Sequence, residues 1–287
     1  MEVERQVLAC VDQSGYAEFV ADYAAWAARS MDYELELLHV IDRHPETATR
    51  VDRTGTIGFD AQENLLEQLS SDDESRSREA RESGRLFLNA LRERVAATGV
   101  KSVDIRQRYG GLEETLIEQE DEVRLFVLGR RGESADQTQR DLGRNVESIV
   151  RGLKKPVLTV TDTFREPKSA LIAFDGSTVT RRGVKMIAGS PLFTGMPVHI
   201  LMSGKLRGDA KKQLNWAQET LQNAGFEAPA SLVAGDAERE IARYIKEKEI
   251  DILTMGAYSH SPLRSLLFGS KTTDLLRVAT IPTLLLR

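Results

Sequence analysis

The chain has 287 residues, a length that suits about two domains, and its 41% hydrophobic and 29% charged content is that of an ordinary globular protein. A formal net charge of -5 gives no overall basic footprint for nucleic acid, although it leaves room for a local basic patch. The single cysteine, Cys10, excludes an intrachain disulfide framework and argues against a cysteine-based zinc site.

No apolar run approaches the roughly 18 residues of a membrane span. The opening Met-Glu-Val-Glu-Arg is acidic and mixed, unlike the basic-then-apolar start of a signal peptide. The cytoplasm is the expected compartment.

Residues 6–12 form a short apolar run ending in Asp12, which predicts a first strand with Cys10 as a buried small residue. An alanine-rich helix over 16–30 follows, then a strand over 35–41. Residues 42–78 are a polar excursion, solvated or functional, with a short helix expected at 61–69. A longer amphipathic helix over 78–98 is closed by Gly99. A helix over 113–120, a strand over 125–129 ending in Gly129, and a strand after Pro156 complete this unit. Residues 161–168 read as a linker.

The same order then returns. Residues 169–175 are an apolar run ending in Asp175, 163 residues after Asp12. Strands are expected over 198–203, 252–256 and 282–286, and helices over 210–224 and 237–248. The chain is therefore a tandem duplication, with domains at 1–162 and 168–287, the first carrying an insertion near 42–78. Strands alternating with helices of this length predict an α/β fold: two Rossmann-like domains, each a five-stranded, mostly parallel sheet with helices on both faces.

Ligands of such sheets bind outside the carboxyl ends of the strands. The second copy places Asp175 there, with a loop running from Gly256 through Ser259 to Gly269, Ser270 and Thr272. Glycine lets backbone approach a ligand, and a helix start offers free N–H groups to an anion. The first copy has Asp12, Gly129, Gly132 and Gly143, but its loop is one residue longer, with Arg144 and Asn145 at the hydroxyl positions. Its arginines (Arg130, Arg131, Arg144) either engage phosphate or pair with local acids. Each aspartate is read as a ligand contact, a helix cap, or both.

These features resemble the universal stress protein family in its tandem form, whose loop follows Gly-x2-Gly-x9-Gly-Ser/Thr. The resemblance implies an adenine nucleotide alpha hydrolase-like fold and, for this chain, an ATP-like regulatory ligand. It would place Asp175 and the backbone of Met202 at the adenosine, and Gly256, Ser259, Gly269, Ser270 and Thr272 at the phosphates. Ser259 departs from the second glycine of the pattern. The weaker first-domain counterparts are Asp12, Val40, Gly129, Gly132 and Gly143. The family's pairing through its last strand implies an intramolecular pseudo-dimer, strand 156–160 on strand 282–286, with a further homodimer left open.

No two of the four histidines (His39, His44, His199, His260) have metal-ligand spacing; His39 and His199 are expected in the core. Trp26 and Trp216 are expected to pack. No nucleophile, base or metal set marks a dedicated enzyme. The expected role is a stress-response protein binding an adenine nucleotide in its second domain. The alternatives are a nucleotide-free scaffold recruiting a protein partner and, last, a slow ATPase or small-metabolite phosphohydrolase.

Overall fold

The structure, a computed structural model, describes residues 6–41, 59–131, 144–204, 208–256 and 280–287, with side chains in all of these except 59–77, 144, 145 and 147. The first half runs β1 (Gln6–Cys10), α1 (Ala17–Met31), β2 (Glu34–Ile41), α2 (Phe59–Ala96), β3 (Val103–Tyr109), α3 (Leu112–Glu118), β4 (Val123–Gly129), α4 (Arg144–Gly152) and β5 (Val157–Val160). The second runs β6 (Ala170–Ala173), α5 (Thr178–Ala188), a 3-10 turn (Pro191–Phe193), β7 (Val198–Gly204), α6 (Ala210–Asn223), β8 (Ala230–Ala234), α7 (Ala237–Glu247), β9 (Ile252–Gly256) and β10 (Thr283–Leu286).

The strands form one ten-stranded sheet in the order β3-β2-β1-β4-β5-β10-β9-β6-β7-β8. Each half therefore contributes the same parallel five-strand order, and β5 and β10 join them antiparallel. Parallel strands covered on both faces read as continuous apolar runs. So it is in β1, where Val7, Leu8 and Ala9 are all fully buried. Val7 and Ala9 face a core shared with α1, α2, α5 and α6, while Leu8 faces the core under α3, α4 and α7.

The first of these cores crosses the junction. Helix α1 buries ten of its 15 residues, six of them alanines. Small side chains bring this helix close to the sheet and let it meet the Pro191–Phe193 turn of the second half. Trp26 is buried there as expected, edge-on to Tyr23. Trp216 is half-buried, stacked on Phe174.

The insertion is more ordered than the sequence suggests. In place of a short helix at 61–69 and a separate one from 78, α2 is one helix of 38 residues. The polar run from Ser70 to Ser77 contains neither glycine nor proline, so nothing breaks the backbone ladder even though the apolar periodicity lapses. Gly84 lies inside α2 where the helix packs closely on the sheet: a Cβ there would stand 2.4 Å from the Gln107 side chain and 3.1 Å from the His39 ring. Residues 42–58 of the insertion, with His44, lie outside the described residues.

Candidate nucleotide crevice

In the second half, β6 pairs with β7 as far as Ala173–Leu201 and with β9 as far as Ala173–Met255. Beyond these pairs the β6 chain turns away toward α5. The next residues of its two neighbours, Met202 and Gly256, flank the crevice so opened, with Asp175 at its head. This is the switch point of the sheet, where the crossovers leave in opposite directions.

The turn is built by hydrogen bonds onto one carboxylate oxygen. Asp175 Oδ1 accepts from the Ser177 N–H at 2.9 Å and from the Thr180 hydroxyl at 2.7 Å. Ser177 caps α5, its hydroxyl accepting from the Thr180 N–H at 3.3 Å. Gly176, between them, has φ +75°, and a Cβ there would collide with the Gln213 side chain. Among the described residues Asp175 Oδ2 accepts no hydrogen bond. Asp175 thus braces the turn that Ser177 caps, through one oxygen only.

Gly256 is held by close packing: a Cβ there would lie 3.1 Å from Val179 and 3.3 Å from Thr180. Met202 is buried, its side chain in the core and its backbone at the crevice edge. Ser259, His260, Gly269, Ser270 and Thr272 lie outside the described residues. Gln213, Val179 and Thr180 were not legible as site residues. Their relation to Gly176, Asp175 and Gly256 depends on how α6 and α5 cross the sheet, which no local pattern encodes.

The first half repeats this construction with changes. Asp12 Oδ1 accepts from the Ser14 N–H at 3.2 Å and from its hydroxyl, and Ser14 Oγ in turn accepts from the Tyr16 N–H at 3.3 Å. The last β1 pairs are Cys10–Leu38 and Cys10–Leu128, so Gly129 stands where Gly256 does. On the other flank the register corrects the sequence reading. The counterpart of Met202 is His39, not Val40, because β1 and β2 correspond to β6 and β7 with a uniform offset of 163. Val40 points to the opposite core. His39 is buried, its Nδ1 is 2.9 Å from the Val11 carbonyl, and its ring meets Phe87 edge-on. His199 is half-buried with Nδ1 3.0 Å from the Tyr244 hydroxyl; burial holds its pKa below the ordinary value.

Gly132 and Gly143 lie outside the described residues, as do the side chains of Arg144 and Asn145. Arg130 is described, and two of its hydrogen bonds cross to the second half. The residue is buried, and its guanidinium donates across the junction to the Ile281 carbonyl at 2.6 Å and the Thr283 hydroxyl at 3.0 Å. Burial pushes its pKa down to about 10. Its backbone N–H also donates to the Val160 carbonyl at 3.1 Å.

The Cys10 thiol, half-buried at the end of β1, is pushed far above its ordinary pKa by burial and by Glu36 and Asp12. Among the described residues no three His, Cys, Asp or Glu side chains gather to hold a metal ion. No helix among them is long and apolar enough to cross a membrane. A cleft of about 490 Å³ opens at the opposite edge of the second half's sheet, lined among others by Tyr23, Thr161, Arg165, Lys246, Asp251 and Ile281. It is remote from Asp175, and Asp251 there accepts from the Lys168 N–H at 2.9 Å and the Ser169 hydroxyl at 3.2 Å.

The model of the universal stress protein family matches residues 4–161 and 190–287. Universal stress protein Slr1230 of Synechocystis is 34% identical over 286 residues, covering 99% of this chain and all of that protein. Among solved structures, a universal stress protein from Archaeoglobus fulgidus aligns with a TM-score of 0.69 at 17% identity, over 98% of this chain and 96% of its own. One from Pseudomonas aeruginosa aligns with a TM-score of 0.59 at 16% identity, over 99% and 94%.

Proposed function

This chain belongs to the universal stress protein family, and on that premise we propose that its second half binds an adenine nucleotide as a regulatory ligand in a stress response. The observation that carries this reading is the crevice between Met202 and Gly256, headed by an aspartate with one oxygen committed to the β6–α5 turn and the other open among the described residues. An open carboxylate oxygen suits a ribose hydroxyl or an amino group. The α5 N-terminus and a glycine-rich loop suit phosphate. Ser259, Gly269, Ser270 and Thr272 are assigned to the phosphates by their place in the loop. The chain works as a nucleotide-dependent module whose ligand is read by another protein, in the cytoplasm, with domain limits at 1–162 and 168–287.

The first half serves chiefly as partner and scaffold. Arg130, a residue of its own glycine loop, is engaged by the second half's Ile281 and Thr283.

Equilibrium dialysis of the purified chain against labelled ATP tests the proposal, with AMP, cAMP and dAMP alongside; the last two are ligands of other solved universal stress proteins. The expected result is one site per chain, lost in Gly269→Ala. Absence of binding at millimolar nucleotide refutes it.

A further inference from the structure

The two halves carry opposite charge at matched positions on the face formed by α1, α2, α5 and α6. Helices α1 and α5 correspond with an offset of 163: buried Ala17, Val20, Ala21 and Ala24 answer to buried Thr180, Gly183, Val184 and Ile187. At the same offset Glu18 answers to Arg181, and Asp22 to Lys185. In the first half those two acids grip Arg94 of α2, whose Nη1 lies 2.8 Å from Glu18 and whose Nε and Nη2 lie 2.9 and 2.8 Å from Asp22. Buried Leu88, Leu91 and Val95 of α2 answer to Leu214, Ala217 and Leu221 of α6, which puts Thr220 in the place of Arg94.

At these positions the second half thus replaces two carboxylates sharing one arginine with Arg181, Lys185 and a neutral Thr220. Arg182 adds to α5, and Lys211 and Lys212 to α6; all three are exposed, as is Lys185. Among the described residues none of these four has an ion-pair partner. Arg181 is fixed over Trp216, 4.0 Å from its ring centroid. Five cations, against Asp209 and Glu219 on α6, make a net positive face on a chain whose net charge is -5.

We infer that this α5–α6 face docks the acidic N-terminal half of α2 from a second copy of the chain. Residues 59–77 hold six carboxylates (Asp60, Glu63, Glu67, Asp72, Asp73 and Glu74) against one arginine, Arg76. The helix of 38 residues is about 57 Å long, while the eight residues of β2 span about 26 Å. Gly84 and Arg81 of α2 already meet Gln107 and Tyr109 at the end of β3, so the helix N-terminal to them runs past the sheet.

That half leaves from the carboxyl edge of the first half. Arg181, Arg182, Lys211 and Lys212 stand in the first turns of α5 and α6, at the carboxyl edge of the second half. The antiparallel β5–β10 junction points these two edges in opposite directions, which favours a second copy over the chain's own helix. Each copy offers one acidic helix and one cationic face, so two copies satisfy each other about a twofold axis and the assembly closes as a dimer. Contacts between exposed charges are screened by salt.

Sedimentation velocity of the full chain in about 0.02 M and about 0.5 M salt tests this. The expected result is a dimer at low salt and a monomer at high salt. At low salt, K211E/K212E and D72K/D73K/E74K each weaken association about tenfold or more. Mixing the two reversed chains restores a dimer. Circular dichroism melts confirm that both variants fold. A monomer at every salt, a dimer indifferent to both reversals, or reversed chains that do not associate on mixing overturns the inference. So does a wild-type chain that stays monomeric while binding RNA or anionic vesicles through the same lysines.

Discussion

Leu158 of β5 lies directly opposite Leu284 of β10, and the two are equivalent residues of the two halves. Thr159 faces Thr283 and Val157 faces Leu285, so the pairing is symmetric about the leucines, and the approximate twofold axis relating the halves passes between them. Both are buried, each amid the core of its own half as well as at the seam.

Leu158→Ala and Leu284→Ala each open a cavity on this axis. Each is expected to lower stability by about 2–5 kcal/mol. Because the shared core crosses the axis, unfolding by urea stays a single transition rather than separating into two. Two resolved transitions, one per half, would show that the seam does not couple them.

Arg130→Ala removes a buried guanidinium from the Ile281 carbonyl and the Thr283 hydroxyl. Stranding buried acceptors costs about 1–3 kcal/mol, readable as a lowered denaturation midpoint. Nucleotide affinity of the second half is expected to stay within about twofold. A variant of unchanged stability with weakened ATP binding would return Arg130 to the phosphate role.

Asp175→Asn separates the two duties of that side chain. The amide oxygen still accepts from Ser177 and Thr180, so stability changes by less than about 0.5 kcal/mol, while the open Oδ2 becomes a donor and nucleotide affinity falls. Asp175→Ala also removes the acceptor of the Ser177 N–H and the Thr180 hydroxyl, at about 1 kcal/mol. Thr180→Val, scored by the same melts and dialysis, is expected to lose stability with affinity retained.

Glu36 is buried on β2, with Gln6 donating to its Oε2 at 2.8 Å and Arg106 at 3.1 Å. Burial raises its pKa above the ordinary carboxylate value, the Arg106 and Gln6 contacts oppose the rise, and Asp104 and Glu122 add to it. A raised folded-state pKa means that the folded state holds the proton where the unfolded state has released it. The contribution is complete below the ordinary carboxylate pKa and is lost as pH rises through the raised one. Glu36→Gln is therefore expected to flatten the fall in stability across that window in urea titrations at stepped pH. An unchanged slope would remove Glu36 as its source.

Much of the fold is written in the sequence because buried parallel strands are continuous apolar runs and because each is repeated. Two strands are not. Val103–Tyr109 alternates with charged residues, and Ala230–Ala234 is small and half-exposed; both are edge strands whose pairing depends on β2 and β7. The one-residue error at Val40 has the same origin. Residues 35–41 match 198–203 about equally at two offsets, and only the ladder with β1 decides between opposite faces. Asp175 was expected as a cap, a ligand contact or both, but its bonds to the Ser177 N–H and the Thr180 hydroxyl depend on how α5 begins. The contacts of Arg130 with Ile281 and Thr283 were illegible because those residues lie about 150 positions further on, across a seam that exists only in the folded chain.

In an assembly of two identical subunits every substitution is made twice, and any surface must tolerate its own copy. Covalent joining of the two halves through one sheet removes that bond. Glu18 could become Arg181, and the first glycine loop could gain arginines, without the change appearing on the other side of the axis. The seam at Leu158 and Leu284 keeps the geometry of symmetry while releasing the rest of the surface from it, and that asymmetry gives the chain two different faces to present.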